Sequence, residues 1–142
     1  MAVRKAEAEW KGNLAKGTGT LKTESGAVDH PYSFASRFED GSGTNPDELI
    51  GAAHAGCFTM ALSHSLAQAG HEPDRVHTTA SVNLEKTDAG MSITRIDLVT
   101  RGRVPGIDAE TFRDFAEKAK RECIVSRALK AVDMTLDAAL EG

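Results

Sequence analysis

A long segment without helix breakers, residues 45–70, is the feature that most constrains how this chain can fold. Asn45 can cap the first free N–H groups of a helix, Pro46 suits the first helical position, and Glu48 completes a pattern that resembles a capping box. No breaker follows before Gly70, so the sequence predicts a helix of about 24 residues, roughly 36 Å long. Small or apolar residues occur on all its sides, which is typical of a helix buried in the core.

Alternating patterns on both sides of this helix predict β-strands. Before it, the pattern predicts three short strands in an antiparallel meander: residues 2–12, a second run that ends at Thr23, and residues 32–38. After it, residues 76–85 and 91–101 are two alternating runs joined by a loop with a glycine late in the turn, which indicates a hairpin.

The last third of the chain predicts a second helix and a closing strand. Asp108 can cap a helix over Ala109–Glu122, whose apolar residues recur at helical spacing. One further helical turn is predicted at residues 126–130 and a strand at 132–138. The order βββ-α-ββ-α-β indicates an α+β fold in which helices pack on antiparallel sheet.

Composition narrows the classes of protein that this chain can represent. Its 142 residues fit a single domain, 1–142, and its net charge of −4 gives no electrostatic reason to bind nucleic acid or an anionic membrane. No apolar block follows the basic pair near the N-terminus, so a signal peptide is not expected. The helix at 45–70 is too polar for a convincing membrane span, and we expect a cytoplasmic protein.

The two cysteines, Cys57 and Cys123, are the first candidates for chemistry. They lie too far apart in the sequence for a CxxC motif, and a structural disulfide is not expected in the cytosol. Either thiol can be a small buried hydrophobic group. If the fold brings them together, they can instead form a two-cysteine redox pair. Arg37, which ends an otherwise uncharged run, is either a solvated strand end or a functional cation.

A metal site on the long helix is a weaker hypothesis. His54 and Cys57 are three residues apart and His64 follows on the same helix, but the sequence offers no fourth ligand. Buried or polar-facing histidines are the favoured interpretation, and we expect no metal.

Helix geometry limits how Glu48 can act together with Cys57. The two residues are nine positions apart, which at about 100° per residue places them on opposite faces and roughly 13 Å apart along the axis. If both serve one active site, that site must use two copies of the helix.

The run TNPDELIGAAHAGCFTMAL, residues 44–62, resembles the signature helix of the OsmC (osmotically inducible protein C) family, which also includes the organic hydroperoxide resistance proteins. The resemblance covers the whole chain: residues 32–38, the hairpin at 76–101, and Cys123 followed by Ser126 fall where that family has counterparts. The Tyr-x-Phe pattern before the helix is more similar to the OsmC branch than to its sister branch.

This resemblance implies an OsmC-like fold, with antiparallel sheets packed on a long central helix in an intertwined homodimer. It also implies a thiol-dependent peroxidase that reduces organic hydroperoxides to alcohols in defence against oxidative or osmotic stress. Cys57 would be the nucleophile that becomes a sulfenic acid, and Cys123 would resolve it as a disulfide. Arg37 would hold the thiolate and polarise the peroxide, and Glu48 would orient Arg37 through an ion pair.

The remaining implications concern substrate, reductant and alternatives. Phe38, Phe58 and Met60 are candidates for a pocket that favours alkyl or lipid hydroperoxides. No bound cofactor is expected, since an external thioredoxin-like or lipoyl dithiol would reduce the disulfide. Ile124 stands where the family usually has proline, and its presence predicts a longer second helix and a buried Cys123. The alternative is a non-enzymatic redox-sensing or small-molecule-binding module on the same fold.

Overall fold

A computed structural model describes all residues from Met1 to Gly142 and divides into two compact units, Met1–Leu49 and Ile50–Gly142. The expectation of a single domain over 1–142 stays a prediction. The first unit contains an antiparallel sheet of three strands in the order β1-β2-β3, as the meander pattern predicted. Its elements are β1 (Ala6–Lys11), β2 (Thr18–Thr23), β3 (Asp29–Tyr32) and α1 (Phe34–Phe38).

The second unit contains a sheet in the order β4-β5-β6. Strands β4 and β5 form the predicted antiparallel hairpin, in which Thr87 pairs with Gly90 across the turn. Gly90 has a φ of 101°, a conformation that glycine adopts without strain. The elements are β4 (Arg75–Thr87), β5 (Gly90–Arg103), α3 (Ala109–Glu122), α4 (Ile124–Ala128) and β6 (Asp133–Leu140).

The prediction of purely antiparallel sheets is wrong for the last strand. β6 pairs with β5 in parallel, with Arg95 opposite Asp133 at one end and Gly102 opposite Leu140 at the other. Two helices, α3 and α4, lie between these strands in the sequence and return the chain to the end where β5 began. Such a crossover is what a parallel pair requires.

The helix α2 (Pro46–Gln68) occupies the stretch predicted at 45–70. Asn45 caps it as predicted, because its Oδ1 accepts a 2.7 Å hydrogen bond from the backbone N–H of Glu48. Packing of both sheets on this helix stays a prediction.

Burial on all sides of α2 was a wrong expectation for the single chain. Phe58, Leu62 and Leu66 are fully buried, whereas Gly56 is exposed and Met60 is 75% exposed. One side of the helix therefore joins the core of the second unit, and another side remains on the surface. We call this surface the α2 outer stripe; its members are Ala52, Ala53, Gly56 and Met60.

The prediction of a strand at 32–38 is correct for Tyr32 and wrong for the residues after it. Ser33 and Ser36 form a reciprocal capping box. The Ser36 N–H donates to the Ser33 hydroxyl at 3.0 Å, and the Ser33 N–H donates to the Ser36 hydroxyl at 2.8 Å. These local bonds begin the short helix α1, because serine side chains compete with sheet hydrogen bonding for the backbone.

Apolar side chains from α2, β5 and α3 make the core of the second unit. Each fully buried side chain of this kind contributes about 1.5–3 kcal/mol relative to exposure. The fully buried hydrophobic members are Phe58, Leu62, Leu66, Ile96, Leu98, Phe112 and Ala116. Because Cys57 packs against this cluster and Cys123 belongs to it, the core fixes the position of both thiols.

Candidate active site

The nucleophile predicted from the sequence, Cys57, is half-buried on α2 and carries a free thiol. The backbone N–H of Val125, in the first turn of α4, points at its Sγ with an N–S distance of 3.5 Å. This polar contact ties the thiol to the segment that follows Cys123.

Cys123 occupies the junction between two helices. It ends α3 and caps α4, with an extended backbone at φ −61° and ψ 145°. Its Sγ accepts a hydrogen bond of 3.3 Å from the backbone N–H of Ser126, and its S–H donates to the Ser126 hydroxyl at 3.0 Å. The side chain thus acts as a cap, which explains why the sulfur points inward.

Of the two features predicted from Ile124 in place of proline, the structure has one. The predicted lengthening of α3 is wrong, because the helix ends at Glu122, at the boundary predicted from its sequence. Cys123 is nevertheless buried, with 3% of its surface exposed, while Ile124 is 71% exposed at the start of α4. The Cys123 cap, rather than a proline, stops the helix here.

The structure brings the two cysteines together within the second unit. Burial raises the pKa of the Cys123 thiol, and a contact with the Cys57 thiol adds to the rise, while the two hydrogen bonds with Ser126 oppose it. Cys123 is therefore held as a protonated thiol. Two adjacent free thiols, one half-buried and one buried, can form a disulfide when the more accessible one is oxidised.

His54 is fully buried, in agreement with its interpretation as a core histidine. Its Nε2 lies 2.8 Å from the Ser126 hydroxyl, while its Nδ1 is buried without any hydrogen-bond partner. Burial lowers the pKa of His54, so the ring is neutral near neutral pH. No group of three or more His, Cys, Asp or Glu side chains has the spacing of a metal site.

Arg37, in the last turn of α1, has a different carboxylate partner from the one expected. Its Nε and Nη2 donate to the two carboxylate oxygens of Asp47 at 3.1 and 3.2 Å. Within the single chain Arg37 therefore pairs with Asp47, and the orientation of Arg37 by Glu48 stays a prediction. Glu48 instead accepts a 2.8 Å hydrogen bond from the Thr44 hydroxyl. One position along a helix turns a side chain by about 100°, so the neighbouring acids face different groups.

A cavity of about 400 Å³ opens beside Arg37 in the first unit. The guanidinium lies 5.3 Å from the centroid of the Phe38 ring, within the range of a cation–π contact. Trp10 and Tyr32 meet edge to face at a centroid distance of 5.2 Å on another part of its lining. The lining residues are Trp10, Gly12, Leu14, Tyr32, Ser33, Phe34, Arg37 and Phe38.

The three predicted pocket residues occupy three different environments. Phe38 lines this cavity, as a substrate-pocket role requires. Phe58 is enclosed in the core with no exposed surface, and Met60 lies on the α2 outer stripe. Within this chain, Phe38 and Met60 are accessible and Phe58 is not.

The sequence analysis missed Asp47, Val125 and the hydroxyl of Ser126. Asp47 and Glu48 are adjacent acids in the first turn of α2, and the sequence does not show which of them pairs with Arg37. Val125 contributes only a backbone N–H, which no sequence pattern marks. For Ser126 the signal was present, since Cys-x-x-Ser at a helix start is a capping spacing.

The chain matches the family model described as OsmC-like protein over residues 39–137. It is 53% identical over 135 residues to the peroxiredoxin OsmC of Escherichia coli strain K12, covering 94% of both chains. It is 34% identical over 98 residues to an organic hydroperoxide resistance protein of Xanthomonas axonopodis pv. citri, covering 68% of this chain and 67% of the relative.

The fold of this chain is also similar to solved structures of organic hydroperoxide resistance proteins. The organic hydroperoxide resistance protein OhrB of Bacillus subtilis has a TM-score of 0.75 at 26% identity, covering 94% of this chain and 97% of that one. An organic hydroperoxide resistance protein from Elizabethkingia anophelis has a TM-score of 0.77 at 21% identity, covering 99% of each chain, and this likeness concerns the fold alone. None of the helices is long and apolar enough to cross a membrane.

Proposed function

This chain belongs to the OsmC family, and from that membership we propose that it is a thiol-dependent peroxidase that reduces organic hydroperoxides to alcohols. The names of its relatives, a peroxiredoxin and organic hydroperoxide resistance proteins, support a peroxidase role. The observation that carries the proposal is the position of two free thiols at one core cluster, with the backbone N–H of Val125, two residues after Cys123, 3.5 Å from the Sγ of Cys57. We assign the protein to defence against oxidative or osmotic stress in the cytoplasm.

Cys57 is the proposed nucleophile because it is the more accessible of the two thiols. Its thiolate attacks the terminal oxygen of the hydroperoxide, the O–O bond breaks, and the alkoxide leaves with a proton as the alcohol. Cys57 is then a sulfenic acid. The Val125 N–H beside its sulfur holds the Cys57 side chain against the segment that follows Cys123.

Cys123 is the proposed resolving thiol. Its sulfur attacks that of Cys57, a disulfide forms, and the sulfenic oxygen leaves as water. An external dithiol, either a thioredoxin-like protein or a lipoyl group, then supplies two electrons and two protons to restore both thiols. No bound cofactor is needed in this cycle.

Arg37 is the proposed cation that holds the Cys57 thiolate and polarises the peroxide, as the family resemblance implies. Asp47 supports this role, because two hydrogen bonds to one carboxylate fix the plane of the guanidinium. Glu48 is proposed to orient Arg37 through an ion pair in a site that uses two copies of α2, since Glu48 and Cys57 lie on opposite sides of the helix. Phe38 and Met60 are proposed to favour alkyl or lipid hydroperoxides.

A homodimer with shared sites is part of the proposal. The α2 outer stripe consists of small residues and Met60 and is unusually apolar for a helix surface. A second copy that packs on it would remove this apolar surface from water and unite groups from both copies.

Single-turnover kinetics with an alkyl hydroperoxide test this function. Cys57→Ser should abolish consumption of the peroxide, whereas Cys123→Ser should consume one equivalent and stop as a sulfenic acid that dimedone traps. Wild-type protein with a dithiol should turn over repeatedly. Peroxide consumption by Cys57→Ser would contradict the proposal, and failure of the wild type to consume peroxide would favour the non-enzymatic redox-sensing or ligand-binding alternative.

A further inference from the structure

His54 is a buried titratable group that the proposed cycle leaves without a task. It has no exposed surface, and its Nε2 is 2.8 Å from the Ser126 hydroxyl. That hydroxyl lies in turn 3.0 Å from the Sγ of Cys123. A continuous chain of three polar groups therefore joins the buried thiol to the imidazole, entirely within the second unit.

We propose that Ser126 and His54 form a proton relay that deprotonates Cys123 as it attacks Cys57. The proposal rests on the proposed role of Cys123 as the resolving thiol. Ser126 takes the proton of the thiol and passes its own hydroxyl proton to Nε2 of His54. The sulfur–sulfur bond forms, the S–O bond of the sulfenic acid breaks, and hydroxide leaves with a solvent proton as water.

The hydrogen bonds fit the arrangement of protons both before and after the transfer. Before it, the thiol donates to Ser126 and the hydroxyl donates to the imidazole. After it, the imidazolium donates to Ser126, the hydroxyl donates to the Cys123 thiolate, and the backbone N–H of Ser126 donates to the same sulfur at 3.3 Å. No polar atom of the relay loses its partner, which is essential in a dry interior.

The burial of Cys123 makes a base necessary. With 3% of its surface exposed, the thiol has almost no contact with water that could take its proton. Burial also raises the pKa of Cys123 and lowers that of His54, so both groups are neutral at rest. The proton therefore moves only when the attack begins, which keeps Cys123 from reacting with peroxide itself.

The unpartnered Nδ1 of His54 distinguishes this relay from a catalytic triad. In a triad a carboxylate stabilises the charged imidazole from its far side. Here Nδ1 is buried with no acceptor, and no charged side chain shifts the pKa of His54. The nearest titratable groups along this network are Cys123, which is joined to His54 through Ser126, and Cys57, which follows His54 by one helical turn on α2. The imidazolium is thus short-lived and loses its proton to solvent once the disulfide has formed, and Cys123 regains a proton when the dithiol opens the disulfide.

A disulfide exchange assay isolates this step from peroxide chemistry. One equivalent of 4,4′-dithiodipyridine should load the accessible Cys57 as a mixed disulfide and release one thiopyridone. Attack by Cys123 on Cys57 then releases a second thiopyridone, and its rate is the rate of resolution. Wild type, His54→Gln and Ser126→Ala are compared, with His30→Gln, an exposed strand residue of the first unit, as the matched control.

We expect His54→Gln to slow the second release about 100-fold near neutral pH, the scale of one general base. Gln can still donate to Ser126 but cannot accept a proton. The first release should stay within about twofold of wild type, as should both releases in His30→Gln. As the pH rises from about 7 to about 10, the deficit should shrink because more of Cys123 ionises without help, and the raised pKa of this thiol places that change above the ordinary cysteine value of about 8.5.

If His54→Gln releases the second thiopyridone at the wild-type rate, the relay is overturned. A release that is slowed equally at every pH would also overturn it, because a packing defect gives that pattern. Ser126→Ala should show the same pH-dependent deficit with the histidine in place, which covers the case that His54→Gln does not fold. The assay contains no peroxide. The two proposals therefore fail in different ways. If the relay is wrong, the second release in the variants does not show the expected pH-dependent deficit, whereas if the peroxidase proposal is wrong, the second release is intact and no peroxide is consumed.

Discussion

Asp47 holds the guanidinium of Arg37 through two parallel hydrogen bonds of 3.1 and 3.2 Å. The side chain of Asp47 is 10% exposed and that of Arg37 is 37% exposed, so the carboxylate is shielded while the cation faces outward. The contact joins the end of α1 to the first turn of α2. A bidentate pair of this kind fixes the direction of the cation as well as its distance.

Asp47→Asn should therefore lower kcat/KM for an alkyl hydroperoxide, because an amide presents one oxygen and one NH₂ group to the two guanidinium donors. A misplaced catalytic group can cost about 100-fold in rate, and we expect a loss between about 10-fold and that value. Asp40→Asn, the same change at an exposed loop position, serves as the control. Equal rates in Asp47→Asn and Asp40→Asn would mean that Asp47 does not position Arg37.

The α2 outer stripe predicts a specific effect at Gly56. A Cβ added at this residue meets no atom within 4 Å in the single chain, and alanine is favoured over glycine within a helix by about 1 kcal/mol. In a dimer packed on the stripe, Gly56→Leu should separate the subunits. Sedimentation velocity measures this change, with Gln68→Leu near the end of the same helix as control. A Gly56→Leu protein that remains as associated as wild type would rule the stripe out as the contact.

Asp97 predicts a defined loss of stability in acid. It lies on β5 and accepts hydrogen bonds from Arg95, from Asn83 on β4 and from Thr135 on β6, so it links all three strands of the sheet. These bonds lower the pKa of Asp97 to about 2. A carboxylate with a lowered folded-state pKa stabilises the fold above its unfolded pKa of about 3.9, and this stabilisation disappears as the pH falls towards 2.

Thermal unfolding from neutral pH to about pH 2 measures this effect. The Tm of the wild-type protein should fall further over that range than the Tm of Asp97→Asn, because the amide of the variant does not titrate. Asp88→Asn in the hairpin turn is the matched control, because it removes one carboxylate from a site with no resolved hydrogen-bond network. Parallel Tm curves for wild type and Asp97→Asn would contradict the assignment.

Gly102 on β5 lies directly against Phe112 of α3. A Cβ at this position would lie 2.6 Å from two carbons of the fully buried Phe112 ring, so the ring or the strand would have to shift. Gly102→Ala should lower the free energy of unfolding by about 1–3 kcal/mol through overpacking. Urea denaturation measures the loss. Adding Phe112→Leu should recover part of it, whereas simple addition of the two losses would argue against a steric cause.

Local signals in the sequence predicted much of the fold. The Asp108 side chain caps α3 at its predicted start, with a hydrogen bond of 2.8 Å from the Thr111 N–H. The hairpin turn at Thr87 and Gly90 was equally recognisable. Such features depend on neighbouring residues only, and a single sequence contains all of that information.

The errors came from interactions whose outcome depends on competition or distance. Alternation at 32–38 resembled a strand, but two serines three residues apart stabilised a helix instead. The parallel placement of β6 follows from the path of α3 and α4, which no local pattern encodes. At the candidate site, both cysteines were found from the sequence, whereas the contacts of Ser126 with His54 and of Asp47 with Arg37 required three-dimensional positions.

The parallel strand β6 also sets an order of events during synthesis of the chain. Ribosomes release the α2 helix and the β4–β5 hairpin first, and these can associate while the chain is still growing. Cys123 reaches its position only when the crossover helices dock, and β6, which pairs with β5, follows these helices in the sequence. A nascent chain thus carries Cys57 as a solitary thiol. The proposed resolving reaction is therefore impossible within the chain until Cys123 has been synthesised and the crossover helices have docked.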